Sequence, residues 1–234
     1  MDTQRLRHLY GYIEGKIDNG KLSIMVKDVT GITVCYNTKD LIKRAYNSFR
    51  RFHPEMPIII IDGSDSGNPC ASYIKSLASD VTTVISLGYN IGHGKGMHMG
   101  IGLAKTKYAL IFDSDIEMLK SPVCQMLGMM EEDTFGIGSI CKTGFDGVNY
   151  GKSPQHKETG YVLYLHPHFQ LININNYKKF HPYVAHGAPC LKTMLDIHEK
   201  GLSEKILKDF PQLGNFVKHY HRGTRNMRRG IQAG

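Results

Sequence analysis

Apolar positions in the first half of the chain alternate between two periods. A β-branched run, "GITVCYN" (Gly31–Asn37), ends in turn residues and predicts a buried strand. Behind it Leu41, Ile42, Ala45, Tyr46, Phe49 and Phe52 recur at helical spacing; Asn37 or Thr38 can cap this helix, and Pro54 stops it. "PIIIID" (Pro57–Asp62) predicts a second buried strand that runs into a loop. "CASYIKSLASD" (Cys70–Asp80) reads as a short helix and "VTTVISLG" (Val81–Gly88) as a third strand. "GMHMGIGLAKTK" (Gly96–Lys107) reads as a helix despite its glycines, and "YALIFDSDIEM" (Tyr108–Met118) as a fourth strand.

Strands that alternate with helices predict an α/β fold, a mostly parallel central sheet with helices on both faces. Ligands of such sheets bind outside the carboxyl ends of the strands. The polar groups at those ends are Asn37, Asp62, the loop Asn90–Lys95, and Asp113 with Asp115. The second half has a different rhythm. "SPVCQMLGMMEED" (Ser121–Asp133) and "APCLKTMLDIHEKG" (Ala188–Gly201) look helical; "FGIGSIC" (Phe135–Cys141) and the alternating "GYVLYLHPHFQLININ" (Gly160–Asn175) look like strands. Neither an internal repeat nor a Ser/Pro linker interrupts the chain. Residues 1–234 therefore read as a single two-part domain with a soft boundary near residue 116.

Composition adds a direction. With 29 basic and 21 acidic residues among 234, the formal charge is +8, which favours acidic partners such as nucleotides, phosphorylated substrates, nucleic acid or an anionic membrane. The five cysteines include no C-x-x-C pair, and the polar N-terminus is unlike a signal peptide, so reduced thiols and a cytoplasmic location are expected. No apolar run approaches the roughly 20 residues of a membrane span.

Three clusters carry candidate chemistry. "GYNIGHGKGMHMGIG" (Gly88–Gly102) narrowly misses both phosphate-loop signatures: the Walker pattern fails at Tyr89 and Gly96, and the dinucleotide pattern fails at Met97 or Met99. A glycine-rich turn with Lys95 between strand and helix can still approach an anion; a tight turn with a solvated lysine is the plain alternative. In "IFDSDIE", Asp113 and Asp115 point to one side of an extended chain and repel one another unless a cation sits between them. A hard divalent ion with oxygen ligands answers that repulsion, against the plain alternative of a solvated acidic turn. Asp62 ends the isoleucine strand, where a carboxylate can accept from a base or ribose or simply form an Asp-Gly turn.

In order, "TVCYNT", "IIDGSDSG", "NIGHGKG" and "LIFDSD" resemble the nucleotide-sugar-binding half of GT-A glycosyltransferases, especially glycosyltransferase family 2. The resemblance covers about residues 31–117 firmly and the remainder loosely. It implies a GT-A fold with a nucleotide-sugar half over about residues 24–116, a smaller acceptor half over about 117–215 and a basic tail over 216–234. It further implies that Tyr36, Asn37, Asp62 and Gly63 hold the nucleoside, and that Asn90, His93, Gly94 and Lys95 line the ribose and diphosphate. Asp113, Ser114 and Asp115 would form a DxD motif for Mn²⁺ or Mg²⁺. "HYHRGT" (His219–Thr224) resembles a late segment whose histidine reaches the metal, so His219, or failing that His221, joins the ligand set.

One departure concerns the base. Inverting members carry an acidic turn where this chain has Ala188 and Pro189, which leaves His186 or Asp146 as the candidate base, with Glu158 on another loop. His166 and His168 share one face of their strand and either line the acceptor site or face water. The expected activity is metal-dependent transfer from a nucleoside diphosphate sugar, UDP-linked rather than GDP-linked, with inversion. The acceptor is either a bacterial surface or lipid-linked glycan, at the inner membrane, or a hydroxylated base in DNA, as in phage-type modification. The alternatives are a non-catalytic nucleotide-sugar-binding module and a sugar-nucleotide pyrophosphorylase; the latter expects an early glycine-rich loop that "TVCYNTKD" lacks.

Overall fold

The computed structural model describes residues 26–185 and 187–220. A seven-stranded sheet runs in the order β3-β2-β1-β4-β7-β6-β8. Its first four strands, β1 (Val29–Cys35), β2 (Ile58–Asp62), β3 (Thr82–Ser86) and β4 (Tyr108–Phe112), are mutually parallel, as the alternating pattern predicts. All residues of β2 and β4 are buried, which explains their uninterrupted apolar runs.

Helices cover both faces. On one side α1 (Lys39–Phe52) buries Leu41, Ile42, Ala45 and Phe49, joined by α2 (Pro69–Lys75) and α4 (Val123–Gly128). On the other, α3 (His93–Leu103) packs through Met97 and Ile101. Asn68 caps α2, accepting from the Cys70 amide at 2.9 Å, with Pro69 at the first helical position, so that helix begins a residue early and stops at Lys75.

Helix α3 begins at His93 rather than near Gly96, because Gly92 at φ 88° turns the chain into it. The glycines are a packing device. A Cβ on Gly96 would stand 2.7 Å from Val34, and one on Gly100 would stand 2.5 Å from Ile32, so the helix lies directly against β1.

The expected fourth strand is two strands. β4 ends at Phe112, the chain turns over Asp113–Asp115, and β5 (Ile116–Met118) leaves the main sheet to pair antiparallel with β9 (Val217–His219). The sheet itself crosses the boundary near residue 116. β7 (Val162–Asn173) runs antiparallel between β4 and β6 (Gly136–Thr143), and β8 (Leu207–Asp209) closes the edge. Short helices α5 (His156–Thr159), α6 (Ile174–Tyr177), α7 (Leu191–Glu199) and α8 (Ser203–Ile206) complete the second half, with Met194 and Ile197 of α7 in the same core as α3. The five cysteines are free thiols. Among the described residues no helix is long and apolar enough to cross a membrane.

Candidate active site

The parallel register sets Cys35 beside Asp62 and Asp62 beside Ser86, so three strand ends share one rim. There the chain after β1 folds onto the chain after β2. Asn37 sits at φ 56°, a left-handed conformation that asparagine tolerates. Its amide donates to Ser64 Oγ at 3.0 Å, and its Nδ2 donates to Asp65 Oδ2 at 2.6 Å. The Asp65 amide donates back to Asn37 Oδ1 at 3.0 Å, and the Tyr36 hydroxyl donates to the same carboxylate at 3.2 Å. Asp65 thus holds Tyr36 and Asn37, two of the four predicted nucleoside residues. Nothing in the sequence singles out Asp65, because its partners Tyr36 and Asn37 lie on a different turn.

Asp62 is buried at the base of this loop. Its Oδ1 accepts from the Ser64 amide at 2.9 Å, while Oδ2 is buried with no hydrogen-bond partner among the described residues. Gly63 is pinched between loops: a Cβ there would stand 2.9 Å from the Tyr89 carbonyl oxygen. Asn90 Oδ1 accepts from the Gly92 amide at 2.9 Å and shapes the entry to α3, and Lys95 is exposed. The Gly94 amide donates to the Ala185 carbonyl at 3.1 Å, so this amide of the glycine loop meets protein.

The second group forms where β4 ends. The Asp113 amide donates to the His168 carbonyl at 3.0 Å, which continues the β4–β7 ladder by one residue before the turn through half-buried Asp115. β9 returns His219 to this turn. Its Nε2 lies 3.1 Å from Asp115 Oδ1 and 3.6 Å from Asp113 Oδ2. Donor atoms of Asp113, Asp115 and His219 all fall within 4.8 Å of one another, with Ser114 buried in the turn between the carboxylates. Two carboxylates and an imidazole at that spacing fit a divalent ion that accepts both oxygen and nitrogen ligands. His221 and His186 lie outside the described residues.

Further imidazoles surround the carboxylates. His93, at the first turn of α3, places Nε2 3.1 Å from Asp113 Oδ1. His168 stacks on His219 with ring centroids 5.0 Å apart and planes 4° apart, and His166 Nδ1 lies 2.8 Å from His168 Nδ1. Burial alone would raise the Asp113 carboxyl, yet the imidazoles of His93, His219 and His166 together hold it below the usual carboxylate range. Burial works against the charged forms of His93 and His219, but the facing carboxylates raise both above an ordinary histidine.

A cavity of about 160 Å³ opens beside this group. Its lining includes His93, Asp113, Thr143, Tyr164, His166 and Gly187–Pro189. His166 therefore faces the cavity, whereas His168 stacks on His219 of the Asp113–Asp115–His219 group. Asp146 belongs to the adjacent hairpin, where its Oδ1 accepts from the Val148 amide at 3.0 Å and lies 3.1 Å from His156 Nε2. Glu158 is exposed on α5.

The family model for glycosyl transferase family 2 matches residues 30–197. The chain belongs to glycosyltransferase family 2. Solved structures place this family 2 member among GT-A folds. One is the mannosyltransferase PcManGT from Pyrobaculum calidifontis in complex with GDP-Man and Mn²⁺, with a TM-score of 0.57 and 12% identity over 80% of this chain and 55% of that one. GalNAc-T7 with UDP, GalNAc and Mn²⁺ gives 0.51 at 13% identity, over 69% of this chain and 39% of that one. TarS 1–349 of S. aureus gives 0.51 at 15% identity, over 78% and 57%. The chain thus spans between 39% and 57% of the length of these proteins. The search of curated proteins gives no match.

Proposed function

We propose that the protein is a metal-dependent glycosyltransferase that moves a sugar from a nucleoside diphosphate sugar, preferably UDP-linked, to an acceptor hydroxyl. The observation that carries this reading is the Asp113–Asp115–His219 group standing at the carboxyl end of β4, with Asp113 also on the wall of a polar cavity. The nucleoside half of the donor is assigned to the loop of Tyr36, Asn37, Asp62 and Gly63, which ends on the same rim.

In this reading Asp113, Asp115 and His219 hold Mn²⁺ or Mg²⁺, with His221 as a further candidate ligand. A bound divalent ion offsets negative charge on the diphosphate leaving group. Asn90 and Lys95, at the mouth of α3, flank the diphosphate, and His93 orients Asp113 through their 3.1 Å contact. The acceptor occupies the cavity between His166 and Gly187–Pro189. Attack with inversion needs a base there, and His186, next to the cavity-lining Gly187, is assigned that role; Asp146 is the second candidate, its carboxylate being engaged by the hairpin. The acceptor is a surface or lipid-linked glycan or a hydroxylated DNA base, and the site of action is the cytoplasm.

Thermal denaturation with UDP, GDP and their sugars, with and without Mn²⁺, tests the reading. A ligand that binds only the folded chain stabilises it by RT ln(1 + [L]/Kd), about 2.7 kcal/mol at a hundredfold excess over Kd. Metal-dependent stabilisation by a nucleoside diphosphate is expected. No stabilisation by any of them would remove the proposal.

A further inference from the structure

We propose that the hairpin tip over residues 143–151 docks on an anionic membrane surface. The tip displays Phe145, Val148 and Tyr150 with 40%, 44% and 37% of their surface exposed. Such side chains cost free energy in water at roughly 25 cal/mol per Å² of apolar area. Their display is rigid. The Gly144 amide donates to the Val148 carbonyl at 2.7 Å, the Gly147 amide to the Gly144 carbonyl at 2.9 Å, and the Tyr150 amide to the Lys142 carbonyl at 3.1 Å. Asp146 fastens the turn to buried His156, whose Nδ1 accepts from the Gly151 amide at 3.0 Å. A loop held this firmly loses little further entropy when it meets a partner.

Charge specifies the partner. Exposed Lys142, Lys152 and Lys157 flank the tip, and Lys142 Nζ lies 4.5 Å over the Tyr161 ring, which in turn meets Tyr150 at 5.0 Å. The acidic groups on these segments are Asp146, tied to His156, and exposed Glu158. Aromatic and aliphatic groups ringed by lysine suit the boundary of headgroups and acyl chains in an anionic bilayer. Phe145 and Val148 carry no group that reads a hydroxyl or a base edge. An intercalating wedge on DNA puts one side chain into a base step, whereas the apolar exposure here is spread over Phe145, Val148 and Tyr150.

Gly147 and Asn149 of the same hairpin line the cavity beside Asp113, so a docked tip holds that cavity at the membrane surface. An acceptor carried on a lipid would be presented there. This consequence rests on the acceptor reading of the cavity; docking does not, so vesicle binding and nucleotide stabilisation fail independently.

The chain contains no tryptophan, so Phe145→Trp creates a single emission probe. The probe is mixed with vesicles of phosphatidylcholine alone and with roughly 30% phosphatidylglycerol. A blue shift on the anionic vesicles and none on the neutral ones is expected. In co-sedimentation with the anionic vesicles, Phe145→Asp/Val148→Asp should bind roughly tenfold more weakly than the wild type, with its denaturation midpoint kept. An unshifted probe, or a double variant that sediments like the wild type, overturns the proposal. So does a gel shift of duplex DNA that the double variant abolishes, which would assign the tip to nucleic acid.

Discussion

His219 Nε2 stands 3.1 Å from Asp115 Oδ1 across 104 residues of chain. The contact exists because β5 leaves the main sheet and pairs with β9, so the last described strand completes a group begun by the fourth. Mn²⁺ should raise the denaturation midpoint of the wild type. Asp115→Ala should abolish that rise, and His219→Ala should weaken Mn²⁺ at least about tenfold, since each removes a ligand atom that the remaining pair cannot replace. Equal rises in all three proteins would show that the ion binds elsewhere.

Asp65 does not line the cavity beside Asp113, yet it holds Tyr36 and Asn37. Asp65→Ala should raise the dissociation constant for a nucleoside diphosphate roughly tenfold to a hundredfold, the cost of a charge-assisted hydrogen bond. Its response to Mn²⁺ alone should stay that of the wild type. Calorimetry on both ligands distinguishes this local effect from general unfolding.

His186→Ala should lower kcat by roughly 10² to 10⁴, the usual contribution of a general base, with little change in donor affinity. Asp146→Asn should instead lower the denaturation midpoint slightly and leave kcat within about threefold, because it weakens the hold on the Val148 amide and His156. If the two outcomes are exchanged, Asp146 is the base.

The glycines of α3 should respond in opposite ways. Gly100→Ala puts a Cβ 2.5 Å from Ile32 and should cost about 1–3 kcal/mol through overpacking. Gly102 faces open space on the same helix, so Gly102→Ala should gain about 0.5–1 kcal/mol from reduced backbone freedom. Urea denaturation of the two single variants measures both.

Buried His53, whose Nε2 lies 2.9 Å from Ser121 Oγ, should set part of the acid sensitivity. Burial, aided by the nearby Arg50 charge, lowers its pKa from 6.5 to about 3. The unfolded chain then takes up a proton that the folded chain refuses. The contribution is fully present above pH 6.5 and is lost progressively as the pH falls toward 3. At pH 5 the loss is about 2 kcal/mol. His53→Gln should flatten the difference in urea stability between pH 7.5 and pH 5; an unchanged difference would exclude His53 as its source.

The parallel half of the sheet was legible because β1, β2 and β4 are buried on both faces and punctuated by turn residues. Asp113 and Asp115 were legible for the same reason: two like charges following a buried strand need an explanation. The break within "YALIFDSDIEM" was not, because Ile116 and Met118 continue the apolar pattern while their partners sit on β9. Family resemblance brought His219 into view, but its contact with Asp115 depends on that pairing. The imidazole stack of His168 on His219 likewise depends on β7 crossing beside β4, a long-range register that periodicity along one strand does not encode. Asp65 was not legible, because its partners Tyr36 and Asn37 lie on the preceding β-α turn.

β7 has a consequence for engineering. One edge of this strand is bonded to β4 and the other to β6, and its His168 stacks on His219 beside the carboxylates. A chimera that transplants a new acceptor half at residue 117 would also replace the strand against which Asp113, Asp115 and His219 are set. Exchange of acceptor preference by domain grafting should therefore fail in this scaffold, whereas grafting the hairpin after β6 alone leaves the β7 pairing whole.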